Sequence, residues 1–529
     1  MDIGVVAAFA TYLILLVIVG IWAERRTKSY SDYMVAGRKL QTLAVALSAE
    51  ATDMSAWLTI GLPGQAFKRG LVALWASIGC ALGTLLNWAG LGTRFRILTG
   101  KFRAITIPDY LEARFNDRSR FLRIFAALLI LLFMTAYVGA VAKGAAKGIM
   151  GAVGVDFFWG LVISYVIIVA YTVAGGFWAV AWTDVVQAIL MVMALIVLPI
   201  AGFAAVGGID KAFSIIAKSN PAMLDPMGGL AGAAAIALAI SYFSWIVGYP
   251  GQPHIVTRFI AAEDPKKIRR PGALIGMFWV LATLWGAVGM GLVGYALLGN
   301  TLADPEMVTP TLALKLLPSY VAGLIIAAIV AAAMSTMDSQ LLVATSALIH
   351  DLYFKLRGVR LERRKMLMWS RIITIVIAAV SFIAGISGSP FVYWAVSVAW
   401  GGSAAVFAPA LLLSVWWKRM SRAGAIAGMV IGAVGDLTCE TLGIYPWGIP
   451  PYFIWFFVNL LVAIVVSLFT KPPEGIEEVF KTSFVKQPIA RGSARAGSST
   501  TTVTKALSEL EVVEDYALKL LSAAPSATP

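Results

Sequence analysis

Along the chain, apolar runs of roughly twenty residues alternate with short polar connections. That is the length an α-helix needs to cross a hydrocarbon core about 30 Å thick. The pattern predicts thirteen spans, at about 3–22, 42–67, 71–93, 124–149, 157–175, 181–206, 231–250, 273–298, 319–346, 369–387, 391–416, 424–443 and 452–470. The first run, from Ile3 to Trp22, lacks a basic segment before it and a small-residue cleavage site after it, so it reads as a retained helix. With that span set aside, spans two to six and seven to eleven form two sets of five. Five is odd, so the sets start on opposite sides of the bilayer, as in an inverted-topology repeat over about 42–206 and 231–416. The expected protein is therefore an all-α polytopic membrane protein, with a transmembrane domain at 1–470 and a tail at 471–529. Within the tail, 487–504 reads as a flexible linker rich in Ser, Thr, Ala and Gly. Lys505 to Ala523 reads as an amphipathic helix with Leu507, Leu510, Val513, Ala517 and Leu520 on one face.

Composition strengthens this picture. The chain has 529 residues, 60% hydrophobic and 13% charged, against about 45–50% and about 25% in soluble domains. Cys80 and Cys439 both fall inside predicted spans, which argues against a disulfide framework or a cysteine metal site. With His254 and His350 as its two histidines, the chain offers little for a histidine metal site, and no nucleophile–base pair suggests an enzyme. The net charge of +14 would suit nucleic acid, but its distribution suits a bilayer. If the N-terminus is outside, all but seven of the 42 Lys and Arg fall on the inward side. The seven are Lys68, Arg69, Lys143, Lys147, Lys211, Lys218 and Lys315. The positive-inside rule then places the C-terminus in the cytoplasm of a cell carrying this protein in its inner or plasma membrane.

Two stretches break the apolar pattern at matching places, one opening each repeat. The first runs from Ser48 to Gly64 and holds Glu50, Asp53, four hydroxyls and Gly61-Leu62-Pro63-Gly64. Asp53 would lie about 17 Å into the span at about 1.5 Å per residue, near the middle of the bilayer. A carboxylate there costs about 3 kcal/mol or more unless a cation, a partner or water meets it. The second runs from Ser241 to Pro253 and holds Gly248-Tyr249-Pro250-Gly251. Both helices are expected to break, freeing backbone groups that a bound ion or solute can satisfy.

A further cluster lies in the ninth span, where Ser335, Asp338 and Ser339 are spaced i, i+3, i+4 and so share a helix face. Oxygens in that arrangement suit a hard cation such as Na⁺ and not a soft metal. The plainer alternative is that such hydroxyls bond back to the helix or join helices together. Asp184, at the start of the sixth span, reads equally as part of an ion route or as a helix cap.

These residues also carry a family resemblance. Tyr30-Ser31-Asp32-Tyr33-Met34-Val35-Ala36-Gly37-Arg38, Ala46-Leu47-Ser48-Ala49, Asp53-Met54-Ser55-Ala56-Trp57-Leu58 and Gly61-Leu62-Pro63-Gly64 resemble the solute:sodium symporter family, its proline carriers in particular. So do Gly175-Gly176-Phe177, Trp182-Thr183-Asp184, Gly251-Gln252-Pro253-His254, Arg258-Phe259, Met334-Ser335-Thr336 and Gln340-Leu341-Leu342-Val343. The likeness runs from about residue 1 to 470 and leaves the tail uncovered.

The resemblance implies a LeuT-type five-plus-five fold and Na⁺-coupled import of a small amino acid, most simply L-proline, by alternating access. Pantothenate, a monocarboxylate or a sugar acid are the other solutes, and a transporter-like sensor a different class. The resemblance further implies one Na⁺ held by the carbonyls of Ala51, Met54 and Ala332 and the hydroxyls of Ser335 and Thr336. Asp53 would serve ion coupling. A second Na⁺ would involve Asp184, Asp338 and Ser339 with Ser335. The solute pocket would involve Tyr137, Trp245, Tyr249 and Pro253, with Trp57 as an additional aromatic wall. Glu50 departs from the small residue expected before Ala51 and reads as a group facing a watery inner vestibule, or else as one that alters ion choice.

Overall fold

The computed structural model describes residues 2–27, 29–358, 363–387, 389 and 391–484, and among these every named element is helical. The linker and amphipathic helix expected in the tail lie outside the described residues. The longer or site-forming helices are α1 (Ile3–Glu24), α2 (Thr42–Ala56), α3 (Leu62–Arg69), α4 (Ala73–Leu85), α5 (Phe121–Val153), α6 (Phe157–Val206) and α7 (Gly232–Phe243). They continue with α8 (Pro253–Ala261), α9 (Ala273–Leu298), α10 (Ser319–Ser346), α11 (Arg363–Ile386), α12 (Val392–Trp416), α13 (Arg422–Leu442) and α14 (Pro451–Phe469).

Local chemistry sets many of the ends. Asp2, Asp156 and Ser421 side chains accept the orphan N–H groups of Gly4, Trp159 and Gly424 at the starts of α1, α6 and α13. In the most apolar 18 residues of α10, 83% are buried, against 22% in α1, so α10 is a central helix and α1 a peripheral one. Helix α10 packs on α1, α2, α5 and α6. Its buried Ala327, Ala328, Ala331, Ala332 and Ala333 permit the close backbone approach on which packing in lipid depends.

Among the described residues, ten helical segments are long and apolar enough to cross a membrane. The expected thirteen is not reached by length and composition, for two reasons. The segment Thr42–Lys101 counts as one but holds two expected spans, divided at Gly70. There φ is +63° and a Cβ would fall 2.0 Å from the Met223 carbonyl oxygen, so glycine alone fits. Phe157–Ala170 and Gly232–Val247 are apolar but short. The expected connection at 176–180 is also helical except at Gly176 (φ +62°, ψ −165°), where the Tyr33 ring fills the place of a side chain.

The two expected helix breaks fare differently. In the stretch from Ser241 to Pro253 the helix does loosen, into 3₁₀ turns over Ser244–Val247 and Tyr249–Gly251 between α7 and α8. In the first, the break is not at Gly61-Leu62-Pro63-Gly64. It lies at Ser55 (φ +48°, ψ −168°), followed by a π-turn over Trp57–Gly61. Pro63 stands in the first turn of α3, where its missing N–H costs little. The glycines serve close packing instead. A Cβ on Gly64 would lie 2.8 Å from Glu306 Cγ, and one on Gly61 would lie 3.2 Å from the Tyr393 backbone nitrogen. A parallel bridge between Leu40 and Ala262 ties the start of α2 to the end of α8, so the two broken helices are joined at one end.

Candidate functional site

Just before the break at Ser55, α2 meets the middle of α10. The Ser335 hydroxyl donates to the carbonyls of Ala51 (2.9 Å) and Ala332 (3.1 Å). The Thr336 hydroxyl donates to the carbonyls of Thr52 (2.9 Å) and Ala332 (3.3 Å). The Thr52 hydroxyl returns a bond to the Ser335 carbonyl at 2.9 Å. All of these groups are buried. Four of the five expected ligands are thus together: Ala51, Ala332, Ser335 and Thr336. Met54 makes no bond to this group; its carbonyl accepts the Trp57 N–H across the break. The Thr52 carbonyl, which sequence reasoning missed, also meets Thr336. It lies one turn before the break at Ser55.

One turn further, the residues expected around a second ion are also gathered, but a guanidinium stands among them. Arg258, fully buried on α8, pairs with Asp184 at 3.0 Å and with Ser48 Oγ at 3.2 Å, and donates to Ser339 Oγ. Ser48 donates to the same Asp184 oxygen at 2.6 Å, and Ser339 donates to Asp338 at 3.0 Å. Asp184 lies inside α6 and is not a helix cap; its Oδ2 is engaged, while its Oδ1 has no hydrogen-bond partner among the described residues. It is the counter-charge of Arg258, 74 residues away in sequence. The pattern of Arg258 one turn after His254 gave no sign of this partner.

The solute residues converge on a tightly filled space of about 10 Å³ lined by Asp53, Met54, Trp57, Tyr137, Trp245 and Tyr249. Trp57 lies against Trp245 with ring centroids 4.7 Å apart, and Tyr137 meets the buried His254 ring at 5.5 Å. Tyr393 and Trp400, seven residues apart on α12, complete the aromatic wall. Tyr393 sits 5.6 Å from Trp57 and Trp400 sits 5.0 Å from Tyr249. Their spacing on one helix face was the available signal. A Cβ on Gly248 would fall 1.9 Å from Trp400 Nε1, so that glycine admits the indole. Pro253 does not belong here. It starts α8 and lines a separate space with Phe177, Thr257 and Leu342.

Two buried carboxylates flank this region. Asp53 faces the cavity, and neither of its oxygens makes a hydrogen bond of normal geometry. Glu50 does not look into a watery vestibule. It is 2% exposed and accepts the Trp88 indole N–H at 2.7 Å, with Gly276 packed beside it.

At the other end of the cavity, Glu306 ties three helices together. Its carboxylate pairs with Lys147 of α5 at 2.5 Å and accepts the N–H groups of Val392 and Tyr393, both at 2.9 Å, at the start of α12. A carboxylate at a helix N-terminus is favoured by the helix dipole. Asp304 also pairs with Lys147, at 2.7 Å, and Gly64 of α3 packs on Glu306.

A helical bundle of this kind, with two broken helices around a buried aromatic cavity and an oxygen cluster at the first break, defines a polytopic secondary transporter rather than an enzyme. Comparison with known proteins makes the class specific. Residues 33–432 match the model of the sodium:solute symporter family, and the chain belongs to that family. It is 37% identical over 478 residues to the osmoregulated proline transporter OpuE of Bacillus subtilis, covering 89% of this chain and 96% of that one. It is 37% identical over 476 residues to the sodium/proline symporter of Escherichia coli, covering 88% and 93%. Among solved structures, it is similar in fold to a substrate-bound, outward-open Na⁺-coupled sialic acid symporter. The TM-score is 0.74 with 21% identity, covering 89% of this chain and 99% of that one. The expected LeuT-type all-α fold is borne out.

Proposed function

We propose that this protein imports L-proline together with one Na⁺, and that the Na⁺ sits where α2 meets α10. The observation that carries this reading is the oxygen cluster of Ala51, Thr52, Ala332, Ser335 and Thr336 at a helix break. The hydroxyls there can turn from donating to the carbonyls to offering lone pairs to a cation. Five hard oxygens without a carboxylate suit a monovalent ion. Asp53 stands a turn away, buried and without a normal hydrogen bond, and an added positive charge nearby relieves its cost. Its role is to set the local field rather than to ligate.

Solute binds in the cavity of Trp57, Tyr137, Trp245 and Tyr249, whose flat aromatic faces suit a compact apolar ring. The proline assignment draws on the named activities of the relatives. Arg258 supplies a fixed positive charge to Asp184, so the group around Asp338 and Ser339 does not require a second Na⁺. The ends lie with the N-terminus outside and the C-terminus in the cytoplasm, as the distribution of Lys and Arg favours. The helices at 42–206 and 231–416 act as the two repeats.

In this cycle Na⁺ binds first and orders the segment around Ser55. Solute follows, the Glu306 end closes, and the path opens at the end where Leu40 meets Ala262. Na⁺ and solute each raise the other's affinity to the same degree. A potential of about 100 mV contributes roughly 2.3 kcal/mol per charge and a tenfold Na⁺ gradient about 1.4 kcal/mol, enough for accumulation of several hundredfold. Uptake of labelled proline into proteoliposomes driven by a Na⁺ gradient tests the reading. Competition by pantothenate, monocarboxylates and sugar acids tests the choice of solute.

A further inference from the structure

Away from the solute cavity, a space of about 610 Å³ opens between α5, α11, α12 and α13. Phe133, Ala136 and Trp394 give it apolar walls on α5 and α12. On α13 it meets two carboxylates one helical turn apart, Asp436 and Glu440. Asp436 is 1% exposed, and its Oδ1 has no hydrogen-bond partner among the described residues. Glu440 accepts the Tyr445 hydroxyl at 2.7 Å. Tyr445 lies beyond the end of α13. Burial, the bond to Glu440 and the charge of Glu440 push its phenol above the ordinary range, so it stays a donor. Lys143 also lines the space, but its ammonium is already engaged, donating to the carbonyls of Ser387 at 2.5 Å and Ser389 at 2.7 Å.

A buried carboxylate with an unpartnered oxygen is costly, and a bound cation removes that cost. We propose that this cavity binds a primary ammonium carried on an apolar body. The ammonium sits between Asp436 and Glu440, and the body lies against Phe133, Ala136 and Trp394. Three N–H donors can serve both carboxylates at once. The rings of Trp394 and Tyr445 favour a cation over a neutral group, and the paired acids repel anions. Trp394 is 41% exposed, so the cavity has an open flank. An ammonium-bearing lipid headgroup and a water-borne amine both meet the chemistry.

The full chain in nanodiscs of phosphatidylglycerol, with Na⁺ and excess proline present, separates this site from the central one. Labelled phenethylamine should bind saturably. Asp436→Asn and Glu440→Gln should each weaken binding roughly tenfold or more, the loss expected for a charge-assisted hydrogen bond. Ala136→Trp, which fills the cavity and leaves both carboxylates in place, should abolish binding. All three variants should keep Na⁺-driven uptake, which shows that they fold. Adding phosphatidylethanolamine to the nanodiscs decides the source. Displacement of the amine supports a lipid headgroup as occupant, and undiminished binding supports a soluble amine. Non-saturable binding, or binding equal in the wild type and all three variants, overturns the site.

Discussion

The Ser335 hydroxyl donates to the Ala51 carbonyl at 2.9 Å, across the junction where α10 meets the last regular turn of α2. One hydrogen bond thus links a fixed central helix to a helix that breaks four residues later. If this junction holds the coupling ion, Ser335→Ala and Thr336→Ala should each raise the Na⁺ concentration for half-maximal uptake roughly tenfold. Each should cost only about 1 kcal/mol of stability, the net worth of a hydrogen bond. Na⁺ titration of uptake beside thermal unfolding separates the two effects. An unchanged Na⁺ dependence in both variants contradicts the assignment.

Glu306 should govern closure of the cavity at the Trp57 end. Glu306→Ala leaves Lys147 with Asp304 alone and removes the acceptor for Val392 and Tyr393. The loss of a buried charged partner costs about 3–5 kcal/mol where it holds a single state. We expect the rate of uptake to fall by at least about tenfold. A cysteine placed at Ala56, at the break, should at the same time become more reactive to a water-soluble maleimide. Gly64→Ala should act in the same direction, because its Cβ would lie 2.8 Å from Glu306 Cγ. Slow uptake without increased labelling would show damage of another kind.

The Glu50–Trp88 pair should matter more for stability than for ion choice. Trp88→Phe leaves both Glu50 oxygens buried without a donor, at a cost of about 1–3 kcal/mol. Glu50→Gln keeps an acceptor for the indole and should cost less. Melting temperatures of the two variants in detergent check the order, and the reverse order contradicts it.

A charged cluster around the short helix Ile107–Arg114 predicts a pH dependence. Burial opposes ionisation of Asp109, but the hydrogen bond to His350 and the charges of His350, Arg123 and Lys355 outweigh it. They hold the carboxyl below its ordinary range. A lowered carboxyl pKa contributes stability that is present above the unfolded value of about 4 and is lost as pH falls toward the folded value. Asp109→Asn should therefore lower the melting temperature near about pH 7, and the gap to the wild type should narrow progressively as pH falls below about 4. A gap that does not depend on pH would contradict this.

Much of this was legible from residue pattern. The apolar runs marked the bundle, and Asp53, Ser335 and Thr336 stood out because lipid tolerates such groups only when something meets them. What the pattern could not give was where a helix breaks and which oxygen then turns sideways. Gly61-Leu62-Pro63-Gly64 looked like a break, yet it forms the close contacts of α3 with Glu306 and Tyr393. The true break at Ser55 carries no glycine or proline. Thr336 bonds the Thr52 carbonyl, while the Met54 carbonyl accepts the Trp57 N–H across the break. The pairing of Arg258 with Asp184 was equally hidden, since partners 74 residues apart share no local pattern. Tyr393 and Trp400 lay in plain sight on α12 but signify a pocket only once α12 is known to face Trp57.

The central claim is that a Na⁺ gradient drives proline through this protein. Purified full-length protein in proteoliposomes, given labelled proline and an inward Na⁺ gradient, should accumulate the label above its external concentration. Collapse of the gradient should end accumulation, and a proton gradient without Na⁺ should not replace it. Equal accumulation with a proton gradient alone, or none with Na⁺, would contradict the account.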